Sequence, residues 1–363
     1  MLYAALEQIE KRHPDATVLF NDKSPGIRHH NVKTNLRFIK PPRLMFGHYP
    51  WAILSKLNLP YLHFTEFYPD KNIDLILDAN GFRLGDHLNK SEEYYQNMDY
   101  YYETLKTQGA SIILLSQAFG PFETELAKKG AKIINKYADL IIARETVSKK
   151  YLIDAGVDPH KIRQYPDFTI ATTGVFPDKF QSLKGGVCII PNTRMIKDTH
   201  LSSQEYYASL ESIISRIRKT DKKIFLLNHE GKEDMEICKK INRNYDNRFT
   251  VVTGLNAKEI KGLIGSCYMV ISSRYHGAVS SLSQGIPCLA TSWSHKYQLL
   301  FEDFNLKNHI IDPDEKIEQT EKKIDFMLDS DNHTTMKKHL LAHAQKISQK
   351  TENMWEEIWQ IVR

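Results

Sequence analysis

Cysteine is scarce in this chain and forms no pattern. Only Cys188, Cys238, Cys267 and Cys288 occur in 363 residues. None makes a C-x-x-C pair, and no histidine lies at zinc-finger spacing from one. Three sit in apolar, strand-like contexts (GVCII, GSCYMV, IPCLA), where cysteine serves as a small buried hydrophobe. A disulfide framework or structural metal site is therefore not expected, and a reducing, cytoplasmic compartment fits. Long apolar runs are also missing: none approaches the roughly 18–20 residues that span a bilayer. The opening MLYAALEQIEKRHPDATV has no basic n-region, apolar h-region or cleavage site, so it does not read as a signal peptide. Nor is charge of one sign concentrated. The 49 Lys+Arg oppose 44 Asp+Glu, a formal +5, and the basic residues are interleaved with acids. That balance argues against nucleic-acid binding.

What remains is ordinary globular composition, with 41% hydrophobic and 26% charged residues. The length suggests two domains at about 100–200 residues each. Short apolar runs alternate with amphipathic stretches. Strands are predicted at Ala16–Phe20, Ile73–Leu77, Ser111–Leu115, Leu140–Ala143 and Ile162–Tyr165. A second set falls at Val187–Ile190, Lys223–Leu227, Phe249–Thr253, Met269–Ile271 and Pro287–Ala290. Helices lie between them, including Ser91–Gln108, Pro121–Lys136 and Thr146–Ala155. Continuous Val/Ile/Leu runs are what strands buried on both faces need, and repeated β-α-β order implies parallel sheets. The expected fold is thus α/β: two Rossmann-like, doubly wound domains facing a cleft. The N-terminal domain is assigned to 1–175, a Pro/Lys/Ser/Gly linker to 176–186, and the C-terminal domain to 187–331. Helices over 332–363 pack on the domains through Trp355, Ile358 and Trp359. The chain opens on a helix with no preceding strand, so either the N-terminal domain lacks its first strand or the true N-terminus has been trimmed.

Ligands of open parallel sheets bind beyond the C-terminal ends of strands, and four such turns are unusual here. The most informative is Ser272-Ser-Arg-Tyr-His-Gly277, which follows a buried strand and opens a helix ending at Gly285. It places Ser273, Arg274 and His276 beside a helix N-terminus, where free N–H groups and a guanidinium fork suit a phosphate or carboxylate. The alternative is a capped turn whose arginine is held in a structural salt bridge. In the second turn Arg144 ends a strand as a ligand clamp, Thr146 can cap the next helix, and a structural Arg144–Glu145 contact is the competing reading. The third, Ser116-Gln-Ala-Phe-Gly-Pro, is mainly backbone geometry, with Gln117 as a polar contact. In the fourth, Asp78-Ala-Asn-Gly-Phe-Arg-Leu-Gly-Asp86, Gly81 and Gly85 permit close backbone approach and Asp86 can meet a sugar hydroxyl. Lys296, after His295, adds positive charge. Asp167 ends the strand at Ile162, in the cleft or simply bracing the turn.

Together Ser272-Ser-Arg-Tyr-His-Gly, Gln284-Gly-Ile-Pro and His295-Lys resemble the C-terminal signature of polysaccharide pyruvyl transferases. Gln117-Ala-Phe-Gly-Pro-Phe, Ala143-Arg-Glu-Thr-Val-Ser, Pro166-Asp and Thr253-Gly-Leu fall in the order that family shows. The resemblance spans roughly residues 73 to 306. Members usually begin with a strand and a turn like G-x-x-N-x-G-D, which this chain does not show. The resemblance implies a GT-B-like pair of Rossmann domains and transfer of a pyruvyl group from phosphoenolpyruvate to two hydroxyls of one sugar, making a cyclic ketal in exopolysaccharide or cell-wall glycan biosynthesis. Arg144, Ser273, Arg274, His276 and Lys296 then bind the donor, with His276 as the general acid/base. Asp86, Gln117 and Asp167 face the acceptor, which a lipid-linked saccharide would satisfy, with the enzyme cytoplasmic or peripheral at the inner membrane face. No metal and no further cofactor is expected. Two other readings share these residues: a GT-B-like glycosyltransferase using a nucleotide sugar, and a non-catalytic sugar- or partner-binding remnant.

Overall fold

Two compact units make up the protein: Met1–Phe168 together with Glu352–Arg363, and Thr169–Thr351. The structure, a computed structural model, describes residues 1–21, 35–39, 73–292, 294 and 296–362.

The first unit opens with helix α1 (Leu2–Arg12) and strand β1 (Thr17–Asn21), which pairs in parallel with β2 (Asn35–Ile39). A second parallel sheet follows, built from β3 (Leu75–Asp78), β4 (Phe82–Leu84), β5 (Ser111–Phe119), β6 (Leu140–Ala143) and β7 (Ile162–Gln164). Its path is β3-β5-β6-β7, with β4 paired to the far end of β5. Helices α2 (Glu92–Thr107), α3 (Glu125–Tyr137) and α4 (Thr146–Asp154) connect these strands. Ser91 and Thr124 cap α2 and α3 by accepting from Tyr94 N and Ala127 N, as short polar side chains do at helix starts. Strand β5 is buried from Ile112 onward, the both-face burial its apolar run predicts. It runs four residues past the expected Leu115, because the polar Ser116 and Gln117 are buried too.

Strand β4 was not anticipated. It lies inside the glycine-containing loop, where Phe82 pairs with Ala118. Gly85 serves packing there: a Cβ would meet the Gly120 carbonyl oxygen at 2.6 Å, and its φ is +157°. Trp355 and Ile358 from the chain's last helix are buried against Phe168, whose ring meets Trp355 edge-on at 5.8 Å.

The second unit carries a six-stranded, wholly parallel sheet in the order β10-β9-β8-β11-β12-β13. Its strands are β8 (Val187–Ile190), β9 (Ile224–Leu227), β10 (Thr250–Val252), β11 (Met269–Ser272), β12 (Cys288–Thr291) and β13 (Ile310–Ile311). Between them run α5 (Arg194–Lys197), α6 (Ser203–Ile217), α7 (Gly231–Asn244), α8 (Ala257–Gly265), α9 (Tyr275–Leu282) and α10 (Lys296–Asp303), followed by α11 (Ile317–Leu328) and by α12 (Ser330–Ile361), which belongs to this unit as far as Thr351. Strands β8, β9, β11 and β12 are buried at every position. All four cysteines are buried and free; for Cys188, Cys267 and Cys288 the apolar contexts suggested burial. The segment expected as a linker, 176–186, lies within this unit. The chain is already tied there upstream: Lys261 Nζ donates to the carbonyls of Thr169 and Ile170, and Val175 N donates to Lys258 O.

Neighbouring β8 and β11 mark the point where strand order reverses. The chain leaves β8 toward β9 and leaves β11 toward β12, so the helices diverge and leave a crevice beyond the two strand ends.

Candidate functional site

At that crevice the turn after β11 is anchored on every side. Ser273 N donates to Ile190 O, and Ser273 O accepts from Asn192 Nδ2 at 2.9 Å and the Tyr297 hydroxyl at 2.8 Å. The Ser273 hydroxyl is buried between Tyr206 Oη at 2.7 Å and Thr291 Oγ1 at 2.6 Å. Ser273 therefore fixes the turn, with its hydroxyl committed to its protein neighbours. Helix α9 starts immediately after, with Arg274 as N-cap. Gly277 lets this helix approach β8 and β11: a Cβ there would stand 2.4 Å from Ser272 Oγ and 2.9 Å from Ile190 Cδ1.

Arg274 is ion-paired. Its Nε donates to Asp234 Oδ2 at 2.7 Å, with Nη2 2.6 Å from the same oxygen, and its Nη1 donates to Glu230 Oε2 at 2.5 Å. The Asp234 side chain is wholly buried, and its other oxygen accepts from Thr193 N and Thr193 Oγ1. The Glu230 side chain is 70% exposed, and the Arg274 side chain 20%. The salt-bridged reading of this arginine is thus part of the answer. The guanidinium is held on one edge by a buried carboxylate and touched on the other by an exposed one.

His276 follows in the first turn of α9, its ring edge-on to Tyr275 at 5.4 Å. Lys296, the first residue of α10, sets its ammonium 5.4 Å from the centre of the same Tyr275 ring. Ser273, Arg274, His276 and Lys296 therefore gather around one turn. His295 lies outside the described residues.

Three acidic or imidazole groups here were not singled out in the sequence: His229, Glu230 and Asp234. They follow β9, and the rule that selects strand-to-helix turns applies equally to Leu227-Asn-His-Glu230. His229 is half-buried, and burial, then the nearby His276 and Arg274, push its imidazole down to about 3. It is neutral at neutral pH.

In the first unit Arg144, at the end of β6, pairs with Asp167 at 3.3 Å, both side chains buried. Its backbone N donates to Gln117 O, so Gln117, Arg144 and Asp167 sit together. The Gln117 side chain is fully buried, and among the described residues neither amide atom has a hydrogen-bond partner. Such a group is costly unless something polar reaches it. Glu145 faces elsewhere. It, rather than Thr146, caps α4 by accepting from Ser148 N at 2.7 Å, and the arginine's carboxylate is Asp167. Asp86 makes its hydrogen bonds with the Glu123–Thr124 turn instead. It accepts from the Glu123 and Thr124 N–H groups and the Thr124 hydroxyl. Partial burial acts against its charge, but these bonds outweigh it and hold the carboxyl below the usual range.

No group of three or more His, Cys, Asp or Glu among the described residues is arranged to hold a metal. None of the helices described is long and apolar enough to cross a membrane.

A family model described as polysaccharide pyruvyl transferase matches residues 1–295. Solved structures with the same fold are distant in sequence. Anabaena HepE in complex with UDP and glucose is 12% identical with a TM-score of 0.57, covering 99% of this chain and 95% of its own. A putative UDP-N-acetylglucosamine 2-epimerase from Listeria monocytogenes is 13% identical with a TM-score of 0.51, covering 78% and 75%. These similarities establish the α/β, GT-B-like fold class.

Proposed function

The chain belongs to the polysaccharide pyruvyl transferase family, and from that we propose that it moves a pyruvyl group from phosphoenolpyruvate onto two hydroxyls of one sugar of a glycan precursor. The observation that carries this reading is Arg274, fixed by buried Asp234 at the first turn of α9 beside His276. Phosphoenolpyruvate presents a phosphate and a carboxylate. A guanidinium, an ammonium and a helix start around one turn are the groups such a molecule needs.

In the reaction one acceptor hydroxyl adds to C2 of the enol while a proton is delivered to C3, giving a methyl group. The second hydroxyl then attacks C2, the C–O bond to phosphate breaks, and inorganic phosphate leaves with the remaining proton. His276 is the proton-transferring group, because an imidazole changes charge near neutral pH. Arg274 and Lys296 hold the donor's anionic groups, and Ser273 fixes the turn that carries them. Within the first unit, Arg144, held by Asp167, is a cation suited to an anionic or polar group. Gln117, whose amide has no hydrogen-bond partner among the described residues, is a contact for a sugar hydroxyl, with Asp167 holding Arg144 beside it. Asp86 acts through the loop it pins.

A thermal-shift comparison tests the donor. Phosphoenolpyruvate is expected to stabilise the protein and nucleotide sugars to leave it unchanged. Stabilisation by nucleotide sugars alone would reject this reading.

A further inference from the structure

The two carboxylates on Arg274 are not equivalent. Asp234 is wholly buried, takes both Nε and Nη2 on one oxygen, and holds Thr193 on the other. Removing a partner from such a pair strands a charge out of water, so this contact persists. Glu230 is mostly exposed and, among the described residues, meets Nη1 alone. An exposed ion pair contributes little and is readily exchanged. Glu230 is also the N-cap residue of α7, yet its side chain makes no capping bond there. Its carboxylate is spent on Arg274, while an ordinary acceptor's place at the start of its own helix stays unused. Two carboxylates on one guanidinium more than neutralise Arg274 itself, so release of the exposed one restores its positive charge to an incoming anion.

We propose that Glu230 is a displaceable counter-ion. It occupies the anion position at Arg274 Nη1 before the donor binds, yields it to the incoming phosphate or carboxylate, and turns back to cap α7. Asp234 stays and aims the guanidinium. This rests on the reading that Arg274 receives the donor's anionic group. It makes Glu230 the residue that sets donor affinity: competition at Nη1 weakens binding and eases release of the phosphate product.

The test is calorimetric titration of the full chain with inorganic phosphate, comparing wild type with Glu230→Gln, Glu230→Ala and Glu233→Gln. Glu233 is a second exposed acid on α7, paired with Lys197 instead of Arg274. Both Glu230 variants are expected to bind phosphate about two- to fivefold more tightly, the reach of an exposed ion pair, while Glu233→Gln stays at the wild-type value. Unchanged or weaker binding in the Glu230 variants would overturn the proposal. So would equal tightening by Glu233→Gln, which would reduce the effect to net charge. Tighter phosphate binding without any turnover of phosphoenolpyruvate would instead reject the donor assignment and leave the counter-ion role standing.

Discussion

A single oxygen of Asp234 grips Arg274 at two points, accepting from Nε at 2.7 Å and lying 2.6 Å from Nη2. This edge-on grip fixes the plane of the guanidinium and directs Nη1 away from the buried side. Lysine offers one point charge in place of that planar fork. Arg274→Lys is therefore expected to lower kcat/KM for phosphoenolpyruvate by about ten- to a hundredfold, the cost of losing one or two charged hydrogen bonds. Steady-state phosphate release measures it. Wild-type kinetics in the variant would remove Arg274 from the donor site.

His276→Ala is expected to abolish phosphate release while leaving the circular-dichroism spectrum and melting temperature near wild type. The ring sits in the first turn of α9, only partly buried against Tyr275. Retained activity in a folded variant would take the proton-transfer role from it.

Asp167→Ala leaves buried Arg144 without the carboxylate it meets at 3.3 Å. A loss of about 3–5 kcal/mol in urea unfolding is expected, with partial recovery when Arg144→Met is added. A loss below about 1 kcal/mol would show that the pair is solvated.

His229 gives stability a pH dependence of known sign. Its folded-state value of about 3 lies below the ordinary 6.5, so between those values the unfolded chain binds the proton more readily. The stabilisation is present above about pH 6.5 and is lost as pH falls toward 3. His229→Gln removes this group, so the drop in unfolding free energy between about pH 7 and about pH 4 should be smaller in the variant. Equal drops in both proteins would contradict the neutral imidazole.

Gly277→Ala places a Cβ 2.4 Å from Ser272 Oγ and 2.9 Å from Ile190 Cδ1. Overpacking at this junction of α9 with β8 and β11 is expected to cost about 1–3 kcal/mol, read by denaturant unfolding. A neutral effect would mean that the Ser272 hydroxyl rotates away freely.

Much of the second unit was legible because its strands are buried on both faces. Continuous runs such as Val187–Ile190 and Met269–Ile271 leave little doubt about their environment. The Ser-Arg-Tyr-His turn was legible for the same reason, being a polar cluster directly after an apolar strand. Asp234 was hidden by its surroundings: Gly231-Lys-Glu-Asp-Met-Glu236 reads as a solvated helix start, and only the fold turns one of its acids inward to Arg274. Strand β4 was hidden by its length, three residues between two glycines, held by pairing to β5 rather than by local pattern. The break between the units followed long-range ties, Lys261 to Thr169 and Ile170, instead of the Pro/Gly content at 176–186. The Arg144–Asp167 pair joins residues 23 apart in sequence, whereas the adjacent Glu145 was the partner that sequence suggested.

The central claim is that this protein forms a pyruvate ketal from phosphoenolpyruvate. Incubation with phosphoenolpyruvate and a panel of glycosides, followed by mass spectrometry of the sugar and assay of free phosphate, tests it directly. The expected result is a product heavier than its glycoside by one pyruvate less one water, with phosphate released in equal amount. Phosphate release without a modified sugar, or glycosyl transfer from a nucleotide sugar with phosphoenolpyruvate untouched, would contradict it.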